Sequence, residues 1–174
     1  MVGVAHDDTL NLRAAPGPTQ EILDTISPLY VGLVAAGETW ERPGAFWVKV
    51  DYEATFGWVH MGFVAYSGGT NDVTAQVVAA LGEIPLATTM EELGLLAADT
   101  FATEEPPSKV VMVAGPQAGD FGEVAYDVIG IGDDAVRGVR LHVFGEPVAE
   151  GFGLKAIEAT DLCARGVSFD GFCV

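Results

Sequence analysis

Basic residues are scarce in this chain. Among its 174 residues, 8 lysines and arginines stand against 25 aspartates and glutamates, so the formal net charge is −17. Such an acidic surface repels nucleic-acid phosphates, anionic lipid headgroups and polyanionic wall polymers. The composition therefore argues against nucleic acid as a partner. It fits a protein from a salty habitat and ordinary solubility equally well.

Long apolar runs are missing too. No stretch of about 18 apolar residues occurs, which excludes an apolar membrane-spanning helix. The opening residues "MVGVAHDDTLNL" lack the basic start and the long apolar stretch of a signal peptide. The export that we infer below therefore presumes a leader upstream of Met1.

Cysteine is nearly absent. The chain has two, Cys163 and Cys173, both close to the C-terminus. Their short spacing allows a disulfide that closes a terminal loop, which indicates an oxidising compartment. The alternative is a pair of free buried thiols in a cytosolic protein. Gly166 and Gly171 would let the loop turn tightly enough for the bridge.

The usual enzymatic motifs do not occur. The sequence contains no His-Glu-x-x-His helix, no phosphate-binding Gly-rich loop, no Gly-x-Ser-x-Gly elbow and no Cys-x-x-Cys pair. Cys163 could act as a nucleophile with His142 as its base. However, wall-cleaving cysteine peptidases carry the cysteine ahead of the histidine, and Cys173 offers a disulfide instead. We therefore predict no catalytic residue and no cofactor.

Metal-binding patterns are weak. The acidic pairs at 104–105 and 133–134 could supply oxygen ligands, but neither has the Asp-x-Asp-x-Asp-Gly spacing of a calcium loop. We therefore predict no metal site. The three histidines lie far apart along the chain and are expected to be ordinary, partly buried residues: His6, His60 and His142.

The chain changes character near "YSGGTND", residues 66–72, where residues 67–70 are predicted to form a short flexible turn. All three tryptophans precede it. Residues 1–68 carry 8 acidic and 3 basic side chains, and residues 69–174 carry 17 and 5. We predict two domains, 1–68 and 69–174.

The first half has a pattern of short strands. "TLNLRA" places Leu10 and Leu12 inward with Arg13 outward, and the Pro-Gly-Pro turn at 16–18 ends the strand. The apolar segments "EILDTI", "LYVGLVAAG", "FWVKV", "FGWVH" and "GFVAY" follow. Short strands at this density favour a closed barrel, because closure removes exposed sheet edges.

The second half mixes helix and strand signals. Asn71 or Asp72 can cap a helix with an apolar face between residues 73 and 81, and Thr89 with Glu92 forms a capping box before a second helix. "KVVMVAG", "GEVAYDVIGIG", "GVRLHVFG" and "GFGLKAIEATDLC" are strand candidates, with "GDDAVRG" as a hairpin connection. We predict an α+β domain with two helices on a four-stranded antiparallel sheet.

The order of motifs in the first half resembles the bacterial SH3-type domain. "LNLRAAPG", an apolar strand pair, "FWVKV" and "FGWVHMGFV" match that family's sequence pattern over residues 4–65. The segment between the first and third motifs is more apolar and poorer in glycine than is usual in the family. The resemblance implies an SH3-like barrel that acts outside the cytoplasm as a targeting or peptide-binding module.

The C-terminal segment "ATDLCARGVSFDGFCV" is similar to the cysteine-paired ends of small envelope lipoproteins of the LppP/LprE type. Both resemblances imply an exported protein, and export favours the disulfide between Cys163 and Cys173.

Aromatic residues suggest where a ligand binds. Trp47 and Trp58 lie in strand motifs and are expected in the barrel core. Trp40 lies in "AGETWERPG", which reads as a polar turn, where its indole could stack on a sugar ring or a proline or could fold back over the protein. Tyr52 and Phe56 flank the turn in "DYEATFG" and could complete the patch.

The resulting hypothesis is a non-enzymatic, extracytoplasmic protein of the cell envelope that binds a wall peptide, a glycan or another envelope protein. Trp40, Tyr52, Phe56 and Arg13 are its candidate ligand-binding residues, although Arg13 could instead bind a nearby carboxylate or carbonyl. The alternative function is a wall-acting enzyme with its catalytic site in the second domain. A third is a barrel that serves only as a spacer.

Overall fold

A computed structural model describes residues 1–117 and 122–174 of the chain, and about half of the chain is strand. The described residues divide into two units, Met1–Ala65 and Tyr66–Val174. The division predicted after residue 68 falls within a strand of the second unit.

The first unit is a five-stranded antiparallel sheet. Its strands are β1 (Leu10–Arg13), β2 (Ile22–Ile26), β3 (Val34–Arg42), β4 (Ala45–Tyr52) and β5 (Thr55–His60). They lie in the order β2-β1-β5-β4-β3, and a 3₁₀-helix at Met61–Phe63 follows β5.

One face of this sheet covers an aliphatic core. Leu10 and Leu12 of β1 are buried, as their alternation with polar residues predicts. Gly57 of β5 lies directly under Leu12, where a Cβ atom would come within 2.6 Å of the leucine Cγ. The remaining buried members of this core are Met1, Val4, Ile26, Val50 and Val59.

The predicted SH3-like barrel is wrong, because the sheet is open among the described residues. Closure would require β2 to pair with β3, and each of these strands pairs with one neighbour only. Two segments predicted as strands do not extend the sheet. Residues 29–33 lie outside any strand, so β3 begins only at Val34, and Met61–Phe63 is a 3₁₀-helix.

The second unit contains six strands and two helices. In chain order, the elements are β6 (Tyr66–Asp72), α1 (Thr74–Leu81), β7 (Leu86–Ala87), α2 (Met90–Asp99), β8 (Lys109–Gln117), β9 (Gly122–Ile129), β10 (Val136–Val148) and β11 (Gly151–Cys163). The sheet has the order β6-β11-β10-β9-β8, and β7 pairs with β11.

The predicted α+β domain on a four-stranded sheet is also wrong, since the structure is mostly β and this unit has six strands. The four predicted strand segments are confirmed as β8 to β11. The flexible turn expected at residues 67–70 lies instead within the edge strand β6, which pairs with β11 between Glu158 and Cys163. The short strand β7 had no sequence signal.

The capping box of α2 is confirmed in part. The Oγ1 atom of Thr89 accepts a hydrogen bond from the Glu92 amide at 3.2 Å. The Glu92 carboxylate returns to the amide of Thr88 at 3.1 Å rather than to that of Thr89. At α1, Asp72 accepts from the Thr74 amide at 2.8 Å, and this bonding with Thr74 lowers the pKa of Asp72.

Helix α2 lies unusually close to the sheet at Gly94. A Cβ atom added there would come within 2.5 Å of the Tyr126 ring and 2.7 Å of a Val124 methyl. The Tyr126 hydroxyl also donates to the Glu91 carbonyl at 3.0 Å, which ties β9 to the helix. The core beneath both helices therefore depends on a small residue at this contact.

A disulfide joins Cys163, at the end of β11, to Cys173. The two Cα atoms lie 5.1 Å apart, and Val167 forms an isolated antiparallel bridge with Cys173. The Gly69 amide of β6 donates to the Gly171 carbonyl at 2.8 Å. The bridged C-terminal segment is therefore attached to the edge strand of the sheet.

No helix within residues 1–117 and 122–174 combines the length and the apolar character needed to cross a membrane.

Replacing Gly94 with alanine should destabilise the second unit. Helix propensity alone would stabilise it by about 1 kcal/mol. The clash with Tyr126 and Val124 should outweigh this gain and lower the free energy of unfolding by a net value of about 1 to 3 kcal/mol. Urea denaturation measures the change. Ala79→Gly, on an exposed position of α1, calibrates the propensity effect. A Gly94→Ala variant more stable than the parent would contradict the close packing.

Reducing the disulfide should lower the free energy of unfolding of the second unit by about 2 to 3 kcal/mol, because the bridge closes a short loop in the unfolded chain. The transition of the first unit should change little. Intact-mass measurement with and without alkylation, followed by thermal denaturation in oxidised and reduced buffers, tests this. A second unit that unfolds at the same temperature in both buffers would refute the stabilising role.

Candidate functional site

A two-residue turn sets the register of the hairpin formed by β4 and β5. Glu53 and Ala54 have φ angles of 49° and 68°, the left-handed conformation of a type I′ turn. Tyr52 is therefore opposite Thr55, and Asp51 is opposite Phe56. This register decides which side chains share the face that points away from the aliphatic core, called the outer face below.

The outer face carries three rows of side chains across β5, β4 and β3. Directly paired residues share a face, and Glu38 is placed by its ion pair with Lys49. The rows are Phe56, Asp51 and Val34; Trp58, Lys49 and Glu38; and His60, Trp47 and Trp40.

All three tryptophans of the chain lie on this face. Trp47 is buried, as predicted, but Trp47 and Trp58 do not fill a barrel core, because the described sheet is open and both side chains point away from the aliphatic core. Trp40 lies within strand β3 and pairs with Trp47, rather than lying in a polar turn. Trp47 is 4% exposed, whereas Trp40 is 47% and Phe56 is 57% exposed.

Ring contacts order one end of the face. The His60 ring meets Trp47 edge to face, with centroids 5.4 Å apart, and the Phe63 ring lies 5.6 Å from His60. The guanidinium of Arg42 lies 5.9 Å from the centroid of the Trp40 ring. A cation at this distance is attracted to the indole face and helps to orient it.

The first unit places its three basic residues on the outer face, although the chain as a whole is acidic. Each has a partner. Lys49 pairs with Glu38 at 2.7 Å, Arg13 donates to the Gln20 carbonyl at 2.6 Å, and Arg42 contacts the Trp40 ring. The face is therefore less negative than the rest of the protein.

Two buried polar atoms on the outer face are unsatisfied. The indole Nε1 of Trp47 and the carboxylate Oδ1 of Asp51 have no hydrogen-bond partner among the described residues. Leaving such a group unpaired costs on the order of 1 to 3 kcal/mol. Buried polar groups in native proteins are nearly always bonded, so an orphan donor and an orphan acceptor on one face need an explanation.

The structure places three of the four predicted ligand-binding residues on the same sheet face. Trp40, Phe56 and Arg13 lie on the outer face, and Arg13 also makes the carbonyl contact that was its alternative role. Tyr52 lies on the opposite face, where its ring meets Tyr30 at 4.8 Å. Desolvation, together with nearby carboxylates, raises the pKa of Tyr52.

The residues that share the outer face with Trp40 could not be predicted from the sequence, because they depend on the register of strand pairing. Trp47, Trp58 and His60 could be assigned to a shared face only by counting back from the turn at residues 53 and 54. The alternation of "FWVKV" was the available signal, and it separates Trp47 from Val48 correctly.

In the second unit, the side chains considered as candidates for catalysis are engaged in contacts within the fold. Cys163 is bonded to Cys173, so the pair of Cys163 with His142 has no thiol nucleophile while the disulfide is intact. His142 lies 3.5 Å from Glu123. Within residues 1–117 and 122–174, no cluster of three or more metal-ligating side chains occurs.

The acidic groups in this unit also serve the fold. Asp133 accepts from the amides of Ala135 and Val136 at 2.7 and 2.9 Å, which lowers its pKa. The fully buried Asp127 forms a two-pronged ion pair with Arg140, at 2.7 and 3.0 Å.

No protein-family model, curated protein or solved structure matches the chain. The resemblances to bacterial SH3-type domains and to envelope lipoproteins stay predictions from motifs alone.

Acrylamide quenching of tryptophan fluorescence should report the arrangement of the outer face. Trp40→Phe should remove much of the quenchable emission, because its indole is half exposed, whereas Trp47→Phe should leave it nearly intact. Acrylamide is preferred to iodide because it is uncharged and is not repelled by the acidic protein. Equal loss of quenching in both variants would contradict the placement of the two rings.

Proposed function

We propose that this chain is a non-catalytic, extracytoplasmic recognition protein of the cell envelope, and that it binds an envelope component on the outer face of the first sheet. The observation that carries the proposal is the convergence of three tryptophans, Phe56 and all the basic residues of the unit on one sheet face. Tryptophan and arginine are the residues that most often dominate binding energies.

Exposure supports a binding role for this face. Trp40, Phe56, Phe63 and Val34 are all substantially exposed there. Several large apolar side chains left exposed on one sheet face, with polar residues between them, favour an interaction site. The ring contacts of His60 and Arg42 hold parts of the face in place before a ligand arrives, which reduces the entropy lost on binding.

The compartment is argued from the disulfide. Disulfides form and persist outside the cytosol, and Cys163 and Cys173 are bonded. The motif resemblance of residues 4–65 to bacterial SH3-type domains favours the same compartment, because members of that family act in the envelope. The open sheet means that the ligand groove of that family does not carry over.

Binding to purified bacterial cell-wall sacculi tests the proposal. The parent protein should co-sediment with sacculi, and the double variant Trp40→Ala/Phe56→Ala should lose binding by about tenfold or more. Phe169→Ala is the matched control, because it removes a fully exposed phenylalanine from the second unit.

The parent and the control should behave alike. Failure of the parent to sediment, or sedimentation that is equal in all three proteins, would refute the proposed function or its location on the outer face.

A further inference from the structure

We propose that the outer face binds an uncharged oligosaccharide, an inference that rests on the proposed function and names its ligand class. Four properties of the face favour an uncharged oligosaccharide. They are the lack of backbone hydrogen-bonding groups directed out of the sheet plane, the spacing of the exposed rings, the two polar atoms without a hydrogen-bond partner, and the charge.

A sheet face offers a ligand side chains only. The backbone N–H and C=O groups of β4 and β5 are directed along the sheet plane into the strand ladders. Extended peptides that bind to sheets add to an edge, because main-chain hydrogen bonds supply their affinity. A ligand on the outer face instead depends on ring stacking and a few side-chain hydrogen bonds. Flat aromatic rings stacked on the C–H faces of pyranoses are recognition of this kind.

Trp40 and Phe56, the two most exposed aromatic rings of the outer-face rows, are far apart. Trp40 and Phe56 are separated by four residues along the strand direction and by two strand spacings across the sheet. Standard strand dimensions place their backbones about 16 Å apart. A ligand that contacts both rings must therefore contain several linked sugar units rather than a single one.

Hydroxyl groups suit both orphan atoms. The Trp47 indole needs an acceptor and the Asp51 carboxylate needs a donor. A sugar hydroxyl can do either, because it carries one donor and two acceptor sites and rotates to suit its partner. Both atoms are covered in the free protein, so binding must move a neighbouring side chain to reach them.

Charge argues for an uncharged sugar. The basic residues on the face are engaged by Glu38, the Gln20 carbonyl and the Trp40 ring. A polyanionic glycan would therefore gain little locally and would be repelled by a protein of net charge −17.

Indole resonances test the inference. The three tryptophans give three indole N–H signals in a proton–nitrogen correlation spectrum, and single Trp→Phe variants assign them. A tetramer of β-1,4-linked N-acetylglucosamine should shift the Trp40 and Trp47 signals saturably. The Trp47 signal should move downfield as its N–H gains an acceptor. Tetragalacturonate, the anionic probe, should shift them far less at the same concentration.

Variants separate stacking from hydrogen bonding. Trp40→Ala and Phe56→Ala should each weaken binding of the neutral tetramer by about tenfold. Trp47→Phe, which keeps a ring and removes the N–H, should weaken it by about fivefold. Phe169→Ala should not change it.

The results of these experiments distinguish failure of the oligosaccharide proposal from failure of the proposed recognition function. If a short proline-rich peptide shifts the same signals and the sugar does not, the oligosaccharide is wrong and a recognition function stands. If sacculi bind but the neutral tetramer does not, the ligand class is again wrong. If neither sacculi nor any probe binds, both proposals fail.

Discussion

The outer face depends on the register of a single hairpin. Because side chains alternate between the two faces of a strand, a slip of one residue between β4 and β5 would place Trp58 and His60 opposite core residues of β4. The two-residue turn at Glu53 and Ala54 prevents this slip, although neither residue is the asparagine or glycine that such turns prefer. The aliphatic core below and the aromatic rows above are therefore two consequences of one local constraint.

The sheets of the two units differ in what covers their faces. In the second unit, α1 and α2 cover one face, and the residues beneath them are almost entirely apolar. In the first unit, the 3₁₀-helix at Met61–Phe63 reaches only one end of the outer face, where Phe63 contacts His60, and large aromatic residues occupy the face. The aliphatic core that holds Leu12 and Val59 stabilises the first unit, and the exposed aromatic side chains of the outer face are available for further contacts.

Individual strands and helix caps could be predicted from the sequence, whereas the pairing between strands distant in the chain could not. The strand "GFGLKAIEATDLC" and the capping box at Thr89 were identified because glycine, alternation and cap spacing act within a few residues. Trp40 was misplaced because β3 is exposed throughout, so its sequence lacks the contrast between an inner and an outer side. The predicted barrel was wrong because its closure depends on pairing between β2 and β3, a non-local contact that the sequence does not indicate. Burial of the Trp47 N–H without a partner has no sequence signature.

The hydrogen bond from Gly69 to Gly171 has a consequence for association between chains. β6 is an edge strand, and an exposed edge offers free amides and carbonyls on which another chain can add a strand. The C-terminal segment occupies one of these amides and is held beside the strand by the Cys163–Cys173 bridge. This part of the edge is therefore blocked to strand addition, and we expect reduction of the disulfide to free it and so to promote association between chains through β6.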